Sequence, residues 1–195
     1  LDSVYIDLEH GTFSLDTTSQ ICMACLAHGI TPFVRLPSAD PDLVPRILDG
    51  GALGIIIPHV ESAEIAEAMV RAAKYPPVGT RSYSSALPHF KFKAMAARTA
   101  MQDLNLATTV IAMIESPAGV SVAPAIAAVD GIDILHVGTN DLSTTMGVGG
   151  ELDHPKVISA YREIWNACTE NAKHLGVGGL AGRPDRRGGH GLLHR

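Results

Sequence analysis

The sequence predicts an α/β fold built on a parallel sheet, and three observations predict it. Short apolar, β-branched runs recur along the 195 residues without polar alternation, as in strands buried on both faces. Helical patterns with recognisable start and stop residues separate them. Charged side chains stand where the runs end, and the carboxyl ends of parallel strands are where α/β folds bind ligands. Six βα units are visible. A doubly wound sheet suits that count, and so does a (β/α)8 barrel lacking two units.

In chain order, the strand runs are 4–8, 33–36, 54–60, 109–114, 132–137 and 175–178. The first helix, 15–28, stops before Gly29, a residue suited to the left-handed turn that closes a helix. Asp40-Pro41 offers a cap and a first-position proline for a helix running to Asp49, which Pro45 should shorten or distort. Ser62 caps a helix over 63–74, and Ser116-Pro117 opens one that reaches about 129. The last, 155–173, lines up Ile158, Tyr161, Trp165 and Cys168 on one stripe. No strand is readable between 75 and 107. That stretch reads as an elaborate βα loop, with Arg81, Tyr83 and His89 near the strand-end rim, followed by a helix from about 93.

Hydrophobic residues make up 46% and charged residues 18%, enough apolar material for one domain, expected over 1–181. The segment 182–195 changes character, with four Arg and one Asp among glycines, and reads as a basic tail outside the fold. Lys and Arg number 15 against 20 Asp and Glu, so no nucleic-acid partner is expected. No apolar run reaches the roughly 18 residues of a membrane span, and no charged-then-apolar leader opens the chain. Three cysteines make no disulfide framework, which points to a cytoplasmic, reducing setting. Cys22 and Cys25 sit inside a helical pattern and read as core packing.

The chemistry gathers at the strand ends. Asp7, Glu9 and His10 close the first run, Arg35 the second, His59 the third, Glu115 the fourth, and Gly138-Thr139-Asn140-Asp141 follow the fifth. Glu115 and Asp141 offer two oxygen ligands with other positions open, which suits Mg²⁺ or Mn²⁺. No Cys/His spacing suits zinc. Arg35 is a fixed cation for a carboxylate or a developing enolate oxygen. His10 is the natural acid–base group, with Asp7 or Asp49 available to orient it. The backbone N–H groups of 138–141 enter a helix and can cradle a carboxylate. His28, His136, His154 and His174 show no partner pattern and read as structural or surface residues. Gly176-Val-Gly178-Gly179 looks like a dinucleotide loop, but no βαβ unit follows it.

Several ordered motifs carry a family resemblance. They are Ile6-Asp7-Leu8-Glu9-His10, Val34-Arg35-Leu36-Pro37, Leu48-Asp49-Gly50-Gly51, the stretch 71–81, Ile114-Glu115-Ser116 and 137–143. Together they resemble the HpcH/HpaI aldolases, over residue 4 to about 185. The resemblance implies a TIM barrel of the phosphoenolpyruvate/pyruvate type, incomplete because its first and last strands are missing. It implies Mg²⁺, Mn²⁺ or Co²⁺ on Glu115 and Asp141, His10 as base, and Asp49 raising its basicity. Arg35 would stabilise the transition state, and the 139–141 backbone would hold the substrate carboxylate. The implied reaction is metal-dependent carbon–carbon lysis, cleaving or forming 4-hydroxy-2-oxo acids through a pyruvate enolate. The partners would be pyruvate or oxaloacetate and an aldehyde, in a homo-oligomer.

Two departures stand out. Met113 replaces a glutamine, and Thr139-Asn140 stand where the family has proline after the glycine. Loss of CO₂ from oxaloacetate gives the same enolate, so a decarboxylase or enolate-trapping synthase is the second expectation. An inactive assembly module is the third. Lys74, Lys91, Lys93, Lys156 and Lys173 all avoid the strand ends, so no Schiff-base route is expected.

Overall fold

Six strands are separated by one or two helices each along residues 1–179, the part of the chain that the computed structural model describes. The expected tail at 182–195 and the last residues of the expected domain lie outside the described residues. The order is β1 (Ser3–Asp7), α1 (Leu15–Ala27), β2 (Thr31–Arg35), α2 (Leu43–Asp49), β3 (Gly54–Ile57) and α3 (Ala63–Ala73). A 3₁₀ turn (Pro88–Phe90), α4 (Ala97–Ala107), β4 (Thr109–Ile114) and α5 (Pro117–Ala127) follow. The described part closes with β5 (Ile134–Gly138), α6 (Thr139–Thr145), α7 (Pro155–Glu170) and β6 (His174–Gly178).

All neighbouring strands are parallel, and their order in the sheet is their order in the chain. A doubly wound sheet reverses direction at a switch point, whereas a barrel wall adds each strand beside the last. The observed order therefore decides for a curled, six-stranded parallel wall of the barrel type.

Both faces of that wall are buried, which explains the unbroken apolar runs. Ile55, Ile57, Val110, Ala112, Ile114, Leu135 and Val137 pack outward under the helices in the main core. Ile56, Ile111 and Met113 pack on the concave face with Phe33 and Ile134. Each fully buried aliphatic side chain contributes about 1.5–3 kcal/mol against exposure. No helix among the described residues is long and apolar enough to cross a membrane.

Ser14, Ser62 and Ser116 cap α1, α3 and α5, accepting from the N–H of Thr17, Ile65 and Gly119. α2 departs from expectation: it starts at Leu43, and Asp42 before it makes no capping bond. Pro45 falls in the first helical turn, where the missing N–H has no helical partner to lose. α4 begins at Ala97, four residues later than 93. The stretch between α3 and α4 is not a βα loop. α3 has already returned the chain to the amino-terminal end of the strands, and the stretch starts there.

Candidate active site

Parallel strands aim their last residues at one rim, where a cavity of about 400 Å³ opens. Arg35 ends β2 directly opposite Asp7, the end of β1. That register lets the guanidinium meet Asp7 with two parallel bonds, Nε to Oδ1 at 2.9 Å and Nη2 to Oδ2 at 2.5 Å. Its third nitrogen, Nη1, lies 2.7 Å from Glu9 Oε2. Burial alone would raise the Asp7 pKa. The Arg35 bond and the N–H groups of His10 and Glu9 outweigh it and hold the carboxyl below its ordinary range. Burial would likewise lower Arg35, but the Asp7 bond and the charges of Tyr5, Asp7 and Glu9 raise it. The result is a pinned, permanent cation, with the Tyr5 ring 5.7 Å from its centre. Burial pushes the Tyr5 hydroxyl up to about 12, partly offset by Arg35.

His10 reaches the cavity with its side chain 66% exposed and Nε2 4.0 Å from Glu9 Oε2. Asp7 touches His10 only through the backbone, accepting its N–H at 3.3 Å. Within this chain the Asp7 side chain pairs with Arg35, and Glu9 is the acid nearest the His10 ring.

Asp49 is placed elsewhere. α2 runs away from the rim, so its last residue lies at the far end of the unit, and the Asp49 carboxylate accepts from Arg81 Nη2 at 2.6 Å. Arg81 in turn lies over the Tyr75 ring, 4.5 Å from its centre, and His89 Nε2 is 3.0 Å from the Ala52 carbonyl. These loop residues belong to the amino-terminal end, not to the rim as expected.

Glu115 follows β4 with its side chain 1% exposed. Oε2 accepts the backbone N–H of His59 at 2.9 Å, a reach made by a left-handed backbone at His59, φ 51°. The other oxygen lies against Gly138, where an added Cβ would stand 2.4 Å from Oε1, so this position has no room for a side chain. The His59 ring spans two acids, Nδ1 3.4 Å from Glu115 Oε2 and Nε2 2.9 Å from Glu9 Oε1. Burial raises the Glu115 pKa; the His59 N–H and ring oppose this, while Glu9 and Asp141 push it higher.

Asp141 sits in the first turn of α6, after the buried Thr139, whose Oγ1 is 2.7 Å from the Tyr161 hydroxyl. Thr145 donates to the Glu115 carbonyl at 3.2 Å and ties α6 to the end of β4. The structure thus brings Arg35, His10, Glu115 and the 138–141 turn to one cavity.

The donor set fits a hard divalent cation. Burial raises the Glu115 carboxyl, with the charges of Glu9 and Asp141 adding, and a dication relieves that imbalance. No cluster of three or more His, Cys, Asp or Glu able to hold a metal occurs among the described residues. Two oxygens would leave the remaining positions to water and substrate, the habit of Mg²⁺ and Mn²⁺.

Sequence reasoning placed Glu9 and His59 on the rim without seeing that they link Arg35 to Glu115. His136, expected to be structural or on the surface, lines the cavity. The signal was its spacing of two from Gly138, which puts both on one face of β5.

The family profile described as HpcH/HpaI aldolase/citrate lyase matches residues 1–179. The chain belongs to that family. It is 40% identical over 181 residues to a 4-hydroxy-4-methyl-2-oxoglutarate aldolase of Hapsidospora irregularis, covering 92% of this chain and 67% of that protein. The crystal structure of an HpcH/HpaI aldolase from Desulfitobacterium hafniense DCB-2 matches with a TM-score of 0.86 and 33% identity, over 91% of this chain and 68% of that one. That of citrate synthase SbnG matches with a TM-score of 0.82 and 32% identity, over 92% and 69%. The chain spans about two thirds of the length of these proteins. As an HpcH/HpaI protein it is a carbon–carbon lyase of the aldolase class, in a family that depends on divalent metal.

Proposed function

We propose that this chain supplies the active site of a divalent-metal-dependent aldolase on a phosphoenolpyruvate/pyruvate-type barrel. It cleaves or forms 4-hydroxy-2-oxo acids through a pyruvate enolate. The observation that carries this reading is a guanidinium clamped between Asp7 and Glu9, facing the same cavity as the buried, charge-rich Glu115 and its neighbour Asp141.

Glu115 and Asp141 would hold Mg²⁺, Mn²⁺ or Co²⁺, which supplies Lewis acidity toward the oxo acid. The N–H groups of 139–141 bind the substrate carboxylate at the entry to α6. Arg35, already immobilised, meets the negative charge that grows on the enolate oxygen. His10, at the open mouth, takes the proton of the 4-hydroxyl as the C3–C4 bond breaks, and returns it in the forward aldol direction. The aldehyde enters from the His10 side. β1 and β6 are the outermost strands among the described residues, and buried free cysteines at 22, 25 and 168 suit a reducing cytoplasm.

Exchange of the pyruvate methyl protons, followed by NMR, tests the reading: it should require the divalent ion and vanish in Glu115→Gln. Metal-independent exchange would sink it. The likeness to citrate synthase SbnG and the apolar Met113 favour a second reading, an oxaloacetate decarboxylase or enolate-trapping synthase. Comparing CO₂ release from oxaloacetate with carbonyl-product release from 4-hydroxy-2-oxo acids separates the two.

A further inference from the structure

β5 turns the His136 side chain onto the concave face, below the 138–141 turn. Register sets it beside Met113 of β4 on one side and Gly176 of β6 on the other. β6 makes room for the ring: an added Cβ at Gly176 would stand 2.5 Å from Nδ1, and one at Gly178 2.7 Å from Nε2. The glycine run that mimics a dinucleotide loop is therefore the seat of an imidazole.

Neither ring nitrogen is hydrogen-bonded to another described residue. A half-buried polar ring left in that condition costs stability unless water or a ligand completes it. Burial, with the Arg35 charge adding, lowers the His136 pKa, so the neutral ring offers one N–H donor and one lone pair.

We propose that His136 contacts substrate, its imidazole hydrogen-bonding the donor oxo-acid half from the cavity floor, where the Met113 thioether makes no strong polar contact. This deepens the aldolase reading and rests on it. The groups around His136 decide which half it touches. Above it on its own strand is the carboxylate-binding turn. Two residues beyond its neighbour Met113 is Glu115, and Arg35 lines the same cavity. All three serve the donor, whereas His10, which serves the acceptor hydroxyl, stands at the exposed mouth.

The test uses the Mn²⁺-loaded protein, pyruvate titration by calorimetry and steady-state decarboxylation of oxaloacetate. His136→Phe keeps an aromatic ring over the glycines and removes both nitrogens; His136→Gln restores a donor. Loss of one neutral hydrogen bond should weaken pyruvate about tenfold and raise the oxaloacetate KM similarly, with kcat little changed. His136→Gln should recover most of that loss. If His136→Phe melts early, His136→Gln and His136→Leu are compared by the same criteria.

Pyruvate affinity within about twofold of the parent in His136→Phe overturns the proposal, as does equal damage by Gln and Phe in proteins of unchanged Tm. A parent protein that binds pyruvate and exchanges its methyl protons, yet tolerates His136→Phe, fails this proposal alone. A parent that does neither fails the aldolase reading and this proposal with it.

Discussion

Arg35 and Glu115 face one cavity in opposite electrical conditions. Arg35 is over-supplied with partners, so Arg35→Lys, which cannot meet Asp7 bidentately and Glu9 at once, should lower kcat/KM by about 10²-fold. Steady-state kinetics on a 4-hydroxy-2-oxo acid checks this. Glu115 is under-supplied. Its raised pKa means that the folded, metal-free protein holds a proton longer than the unfolded chain does, so stability falls as pH rises above about 4.5. Denaturant unfolding of Glu115→Gln without metal should lack that fall and should equal or exceed the parent at neutral pH. Asp7 behaves in the reverse sense. Its pKa is depressed, so its contribution is present above about 3.8 and lost on acidification through the lowered value. The stability gap between parent and Asp7→Asn should therefore close below about pH 4. The strand-end residues were legible because each follows an apolar run. Which acid serves which base was not, because Asp7 and Glu9 both lie within three residues of His10 and only folding assigns them.

Among the elements, α3 and α5 were the most legible, since the serine cap that opens each is a local signal. The place of Asp49 within its own βα unit belongs to this scale too. A helix that follows a strand carries its last residue away from the rim, so adjacency to a motif in the chain says nothing about which end it occupies. Gly138 shows the converse, a single position through which β5 controls β4. Gly138→Ala would drive a methyl into Glu115 Oε1 and should weaken Mn²⁺ binding about tenfold or more by calorimetry, while α6 remains folded by circular dichroism. The seating of His136 on its two glycines was illegible because no spacing rule links β5 to β6 across the two helices between them.

For the molecule as a whole, repeated βα units announced a parallel sheet, yet each unit reads the same in a doubly wound sheet and in a barrel. Only the order of strands, a long-range fact, separates them. Because the two acids come from different strand ends, an ion bridging them should stabilise the fold. Saturating Mn²⁺ at about a hundredfold above its Kd should add about 2.7 kcal/mol, visible as a raised Tm that Glu115→Gln abolishes. The clamp on Arg35 has a further consequence for the order of events. Asp7 and Glu9 already engage the guanidinium, and Glu115 and Asp141 line the same cavity, so without the dication its carboxylates outnumber its one guanidinium and disfavour an arriving oxo-acid anion. Turnover should accordingly obey a compulsory sequence, dication first and organic acid second, and pyruvate titrated into chelator-treated protein should give no heat of binding.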